Sequence, residues 1–139
     1  MQLQIRIVTT LALCAVLSGC ESNTFADHMV GCYTPRQNGT PEVKISKGID
    51  GYYVSLWAAR AWSDSAAMRR ATFEELNRLF GADTAGIAEG WVATTGPFGV
   101  FRAKHDAMVP GKDSTSDYVA LMFIGRGAVY KIPCEASQR

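Results

Sequence analysis

Between residues 33 and 57 the chain alternates polar and apolar side chains around tight turn formers, a pattern that commits it to antiparallel sheet. Glu42-Val43-Lys44-Ile45-Ser46-Lys47 has the period of two expected of a half-buried strand. Gly48-Ile49-Asp50-Gly51 turns the chain, and Tyr52-Tyr53-Val54-Ser55-Leu56-Trp57 returns as its partner. Strand geometry then sets Tyr52, Val54 and Leu56 on the core face, with Tyr53 and Trp57 on the other. Upstream, residues 33–41 are rich in turn formers, Asn38-Gly39 above all. Strand signals resume at Gly90–Ala93, Phe98–Lys104 and Tyr118–Ile124, the last an apolar run that predicts a central strand covered on both faces. Gly125-Arg126-Gly127 reads as a tight turn into Ala128–Ile132.

One helix interrupts the strands. Thr72 can cap it, Glu75 completes a capping box, and Gly81 stops it. Phe73, Leu76, Leu79 and Phe80 form one apolar stripe, which must pack on the sheet because so short a helix is unstable alone. Residues 58–71 are ambiguous: Ala and Arg favour helix, whereas Trp62-Ser63-Asp64-Ser65 favours a turn. The expected fold is α+β: a mostly antiparallel β-sheet of five to seven strands, or a small barrel-like meander, with one short helix over about residues 73–80.

Ahead of this lies a different kind of segment. Arg6 is followed by the apolar run Ile7–Leu17, then Ser18, Gly19 and Cys20. As a helix that run spans about 16 Å, roughly half a bilayer core, which disfavours a transmembrane anchor. Leu17-Ser18-Gly19-Cys20 resembles the lipobox of bacterial lipoproteins. The resemblance implies that residues 1–19 are a signal peptide, that Cys20 is acylated, and that the chain faces the periplasm from a membrane. Residues 20–30 then form a lipidated tether and residues 31–139 a single globular domain. Glu21, rather than Asp, after the cysteine implies the outer membrane. Roughly a dozen tether residues would reach about 40 Å at full extension.

The same resemblance settles the cysteines. Cys14 leaves with the signal peptide and Cys20 carries lipid, so Cys32 and Cys134 remain to form one disulfide in an oxidising compartment. Loss of Arg6 leaves 13 basic and 13 acidic side chains. That balance disfavours nucleic acid and any polybasic grip on anionic lipid, so the bilayer is held through the acyl chains on Cys20.

Catalytic patterns are weak. His28 and His105, the two histidines, lack metal-ligand spacing to cysteine, so no metal and no cofactor is expected. His105-Asp106 reads as a surface turn, and Gly111-Lys112-Asp113-Ser114 as a solvated loop without the spacing of a phosphate-binding motif. Helix capping explains Glu74 and Glu75, and no serine stands in a nucleophile elbow.

Aromatic residues are the stronger lead. Tyr53, Trp57, Trp62, Arg69 and Arg70 are of the types that dominate interface hot spots, and they are expected to gather around one strand end and its following loop. The leading expectation is a non-enzymatic binding lipoprotein (an inhibitor, immunity protein or envelope accessory factor) that docks an envelope or secreted protein. The alternative is a small-ligand binder on a lipocalin-like barrel, since Gly31-Cys32-Tyr33 resembles the Gly-x-Trp first strand of lipocalins. An envelope hydrolase comes third. A large internal cavity would favour the ligand binder, and a filled core the protein binder.

Overall fold

The computed structural model describes residues 27–122 and 125–135. The lipobox, Cys20 and the first tether residues lie outside that range, as do Phe123 and Ile124. Nine strands are present among the described residues: β1 Gly31–Thr34, β2 Val43–Lys47, β3 Tyr52–Ala58, β4 Ala61–Trp62, β5 Ala66–Arg70, β6 Ile87–Ala93, β7 Gly99–Ala103, β8 Tyr118–Met122 and β9 Gly125–Ile132. The helix α1, Phe73–Phe80, and a 3-10 segment, Gly81–Gly86, link β5 to β6.

All strand pairings are antiparallel. Each of eight strands pairs with its neighbours in chain order, and β1 also pairs with β9 through Cys32↔Ile132 and Thr34↔Tyr130. The sheet is therefore a closed eight-stranded up-and-down barrel, with β4 attached to β3 alone. Closure removes the exposed edges that an open sheet would leave. Alternate residues of β3 point inward as the pattern required: Tyr52 and Val54 are buried, and Leu56 packs on the same inner cluster.

Because connections alternate between the barrel's ends, two rims can be defined. The base gathers the start of β1, the end of β9, the β2–β3 turn, the β5–α1 link and the β7–β8 loop. The crown carries the β1–β2, β3–β5 and β6–β7 connections and the paired ends of β8 and β9, Met122 and Gly125.

Asp27–Val30 fold across the base, although the sequence placed them in the tether. Met29 is buried, and its carbonyl accepts from the Tyr33 hydroxyl at 2.5 Å. The His28 carbonyl accepts from Lys131 at 2.6 Å, and Asp27 accepts from Tyr52 at 2.8 Å and Lys47 at 3.0 Å. Burial raises the pKa of the Tyr33 hydroxyl, so it remains a donor. Beside this segment, Cys32 and Cys134 are joined in a disulfide with Cα atoms 5.0 Å apart.

A second core lies outside the barrel, where α1 covers β6 and β7. Phe80, Ile87, Phe101, Ala103 and Val109 are buried there, with Leu76 and Leu79 packed against them. The helix comes close because residue 90 is glycine. A Cβ at Gly90 would stand 2.7 Å from Phe101 Cδ1 and 3.0 Å from Leu76 Cδ2. The capping box forms in full: Glu75 N–H donates to Thr72 Oγ1 at 3.2 Å, and Thr72 N–H to Glu75 Oε2 at 2.8 Å.

Three expectations need correction. Phe73 is 73% exposed and leaves the helix stripe, which Leu76, Leu79 and Phe80 alone carry into the core beneath the helix. Gly125–Gly127 is the first part of β9, paired with Met122, Leu121 and Ala120, and is no turn. Residues 58–71 contain β4 and β5, so the strand count exceeds seven. Inside the barrel, Trp91 is buried edge-on against Tyr52 at 4.7 Å.

Candidate functional site

The clearest departure from a plain barrel is the ribbon β3–β4. At the crown β3 continues past the barrel wall, and β4 folds back on it through Trp57↔Trp62 and Ala58↔Ala61. The turn residues Ala59 and Arg60 have φ of 50° and 66°, the left-handed pair that Asn-Gly usually supplies. Each non-glycine residue held there costs about 1–2 kcal/mol, and such conformations cluster at ligand clamps and binding sites. Leu56 N–H donates to Ser63 Oγ at 2.9 Å and Ser63 N–H to the Leu56 carbonyl at 2.8 Å, which locks the stem. The two indoles meet edge to face at 5.4 Å, and Trp57 is 38% exposed. The result is a braced aromatic pair standing clear of the barrel.

The remaining expected residues are not gathered there. Tyr53 lies on the outer face of β3, its ring over Gly48 in the β2–β3 turn at the base. Arg69 is six residue steps from Trp57 along the β3–β5 ladder, about 20 Å at strand rise, and is held by Glu75 through contacts of 2.8 and 2.6 Å. Arg70 lies at the base with its side chain mostly exposed, its guanidinium 3.8 Å from the carboxylate of Glu89. The five residues therefore split, with Trp57 and Trp62 at the crown and Tyr53, Arg69 and Arg70 toward the base. Antiparallel return of β5 along β3 separates them, since neighbours in sequence are carried to opposite rims.

Arg69, followed by the backbone N–H of Thr72, holds the Glu75 carboxyl down at about 2 against an ordinary value of 4.5. A depressed acid stabilises the fold at high pH and loses that contribution as it is protonated. The stability gap between the native chain and Glu75→Gln is expected to be full above pH about 4.5 and to close as the pH falls through about 2. Urea unfolding of both proteins across that range checks it, and a gap that widens on acidification would contradict the assignment.

Sequence reasoning missed a charged cluster inside the barrel. A bulge between Ile87 and Glu89 changes which face β6 presents, so Ile87 packs outside under α1 while Glu89 points inward with Trp91. Glu89 is buried and accepts from Trp91 Nε1 at 2.8 Å. Arg102 is its cross-strand partner in register. Glu89 Oε2 and Arg102 Nε are buried without a hydrogen-bond partner. A strand start at Gly90 hid Glu89 from the pattern, although Glu89, Trp91 and Ala93 share one face. Along the barrel axis, Tyr33, Tyr52, Trp91, Phe98 and Met68 fill the interior.

His105 is oriented by Asp117, not by Asp106: Nδ1 lies 3.3 Å from both Asp117 carboxylate oxygens, with the ring 82% exposed. Lys112 is no solvated residue, because its side chain is largely buried and ties the carbonyls of Lys104, His105 and Ala107. Asp113 caps its own turn through Thr115 and Ser116 and accepts from the Tyr130 hydroxyl. These groups brace the β7–β8 loop. A cleft of about 350 Å3 between α1 and the sheet is lined by Arg69, Arg78, Leu79, Val92 and Phe98. Among the described residues no cluster of three or more His, Cys, Asp or Glu side chains could hold a metal ion. The chain matches no known family, no curated protein and no solved structure.

Proposed function

We propose that this chain is a lipoprotein acylated at Cys20, facing the periplasm from the outer membrane, that acts by docking a protein partner on its Trp57–Trp62 ribbon. One observation carries the reading: two indoles packed edge to face on a strained, hydrogen-bonded ribbon belonging to no core. A paired aromatic surface of this kind gives an interface a large apolar anchor at low conformational cost. The filled barrel axis supports a protein binder over a ligand carrier. His105 sits on an open surface, which offers no enclosed setting for catalysis.

Two substitution experiments test this. Cys20→Ala should abolish acyl labelling and release the protein from membranes into the soluble fraction; labelling that persists would refute acylation at that residue. Trp62→Ala or Trp57→Ala should weaken partner binding by about 2 kcal/mol, roughly thirtyfold, whereas His105→Ala and Asp117→Ala should leave it unchanged. The readout is in-cell photocrosslinking from position 60, alongside complementation of a deletion strain. If His105→Ala alone abolished complementation in a folded, membrane-bound protein, the enzymatic reading would replace this one.

A further inference from the structure

Four large apolar side chains are strongly exposed among the described residues: Ile49 at 103%, Met108 at 90%, Phe73 at 73% and Trp57 at 38%. Trp57 belongs to the crown ribbon. The other three lie on connections that leave the base: Ile49 at the β2–β3 turn, Phe73 three residues beyond the end of β5, and Met108 in the β7–β8 loop. They come from three separate connections, so no single loop's composition explains their sharing a rim. None has a packing role, while the residues beside them do: Leu76 packs under α1, and Ala107 and Val109 close over Gly86.

The described chain also begins at this rim. Asp27 is fixed to Lys47 and Tyr52, and six residues, 21–26, separate it from Cys20 in sequence. Fully extended, that stretch reaches about 25 Å. An acyl chain on Cys20, as proposed above, would attach the barrel by its base and place that rim nearer the lipid than the crown. The charges of the base balance: Lys47 pairs with Asp27, Arg70 with Glu89 and Lys112 with Asp117, while Lys104 and Lys131, which face no acid in an ion pair among the described residues, are matched in number by Asp50 and Asp106 on the same rim. Such a surface has no electrostatic preference for anionic lipid. Its attraction to a bilayer comes from apolar side chains entering the interfacial layer.

We infer that the base is a membrane-docking face, on which Ile49, Phe73 and Met108 insert into the bilayer interface around the tether and hold the barrel upright with the Trp57–Trp62 ribbon outward. This rests on the acylation of Cys20 proposed above. The test uses the full chain purified from membranes, with a nitroxide label on a single cysteine at Ile49→Cys, Phe73→Cys or Met108→Cys, and Ala59→Cys at the crown as reference. Each protein is reconstituted into vesicles of phosphatidylcholine alone and of phosphatidylethanolamine with phosphatidylglycerol.

In both lipids, the three base labels should show several-fold higher accessibility to oxygen, and lower accessibility to an aqueous nickel complex, than the label at position 59. Mass analysis of the N-terminal peptide reports acylation independently. Labels as water-accessible at the base as at position 59, on an acylated chain, would overturn the docking face while leaving the anchor standing. Immersion only in the anionic vesicles would overturn the apolar mechanism. An unmodified Cys20 would remove the anchor, and the docking face with it. Double substitution of Ile49 and Met108 by Ser is a second measure; it should raise nickel accessibility at a Phe73→Cys label, and no change there would also count against docking.

Discussion

Replacing Cys32 and Cys134 together by Ser should lower stability by about 4–5 kcal/mol, which for a domain of this size moves the melting temperature by roughly 15 °C. The bridge closes a loop across 102 positions, so in its absence the unfolded chain recovers most of the entropy that a long cross-link removes. Its position adds to the effect. Cys32 lies on β1, directly opposite Ile132 of β9, and the bridge fastens the seam where the barrel closes. Urea unfolding of the double variant beside the oxidised protein measures the loss. An unchanged midpoint would mean that the β1–β9 ladder holds without covalent help.

Phe101→Ala should cost about 3–5 kcal/mol, because the ring is fully buried and its removal opens a cavity between helix and sheet. Phe101 meets Phe80 edge-on at 5.0 Å and occupies the space that Gly90 leaves free, so neither neighbour can collapse into the gap without moving α1. Phe73→Ala, on α1 itself, should change stability by less than about 0.5 kcal/mol, since its ring is largely exposed. Paired denaturation curves decide the matter. Equal losses at the two positions would mean that α1 sits on the sheet by a different face.

Much of the frame was legible in the residues. The β2–β3 hairpin appears where its alternation placed it, with Tyr52 and Val54 inside and Tyr53 and Trp57 outside. The capping box at Thr72 and Glu75 forms because it is a local device with two fixed partners. Closure was harder to read, since it depends on β1 meeting β9 from opposite ends of the domain and no local pattern encodes that. Strand β5 was hidden by composition. Ala66-Ala67-Met68-Arg69-Arg70 is made of good helix formers, and pairing with β3 and β6 overrides their preference. Of the five residues expected to gather, Trp57 and Trp62 meet because one short ribbon pairs them, while the return of β5 carries Arg69 and Arg70 away from them. Glu89 escaped notice because the expected strand began one residue after it, at Gly90, although Glu89 keeps the alternation of Trp91 and Ala93; the bulge turns Ile87, not Glu89, to the outer face.

The seam between β1 and β9 also governs the order in which the molecule can assemble. Strands β2 to β9 each find a partner next in sequence, through turns or one short helical crossover, and those pairings can form early. The seam must wait for the two termini to meet, and long-range closure of this kind slows folding toward the millisecond-to-second range. Until then β1 and β9 each present an unpaired edge, so the chain is most prone to join a second copy of itself in the interval before its last ladder forms.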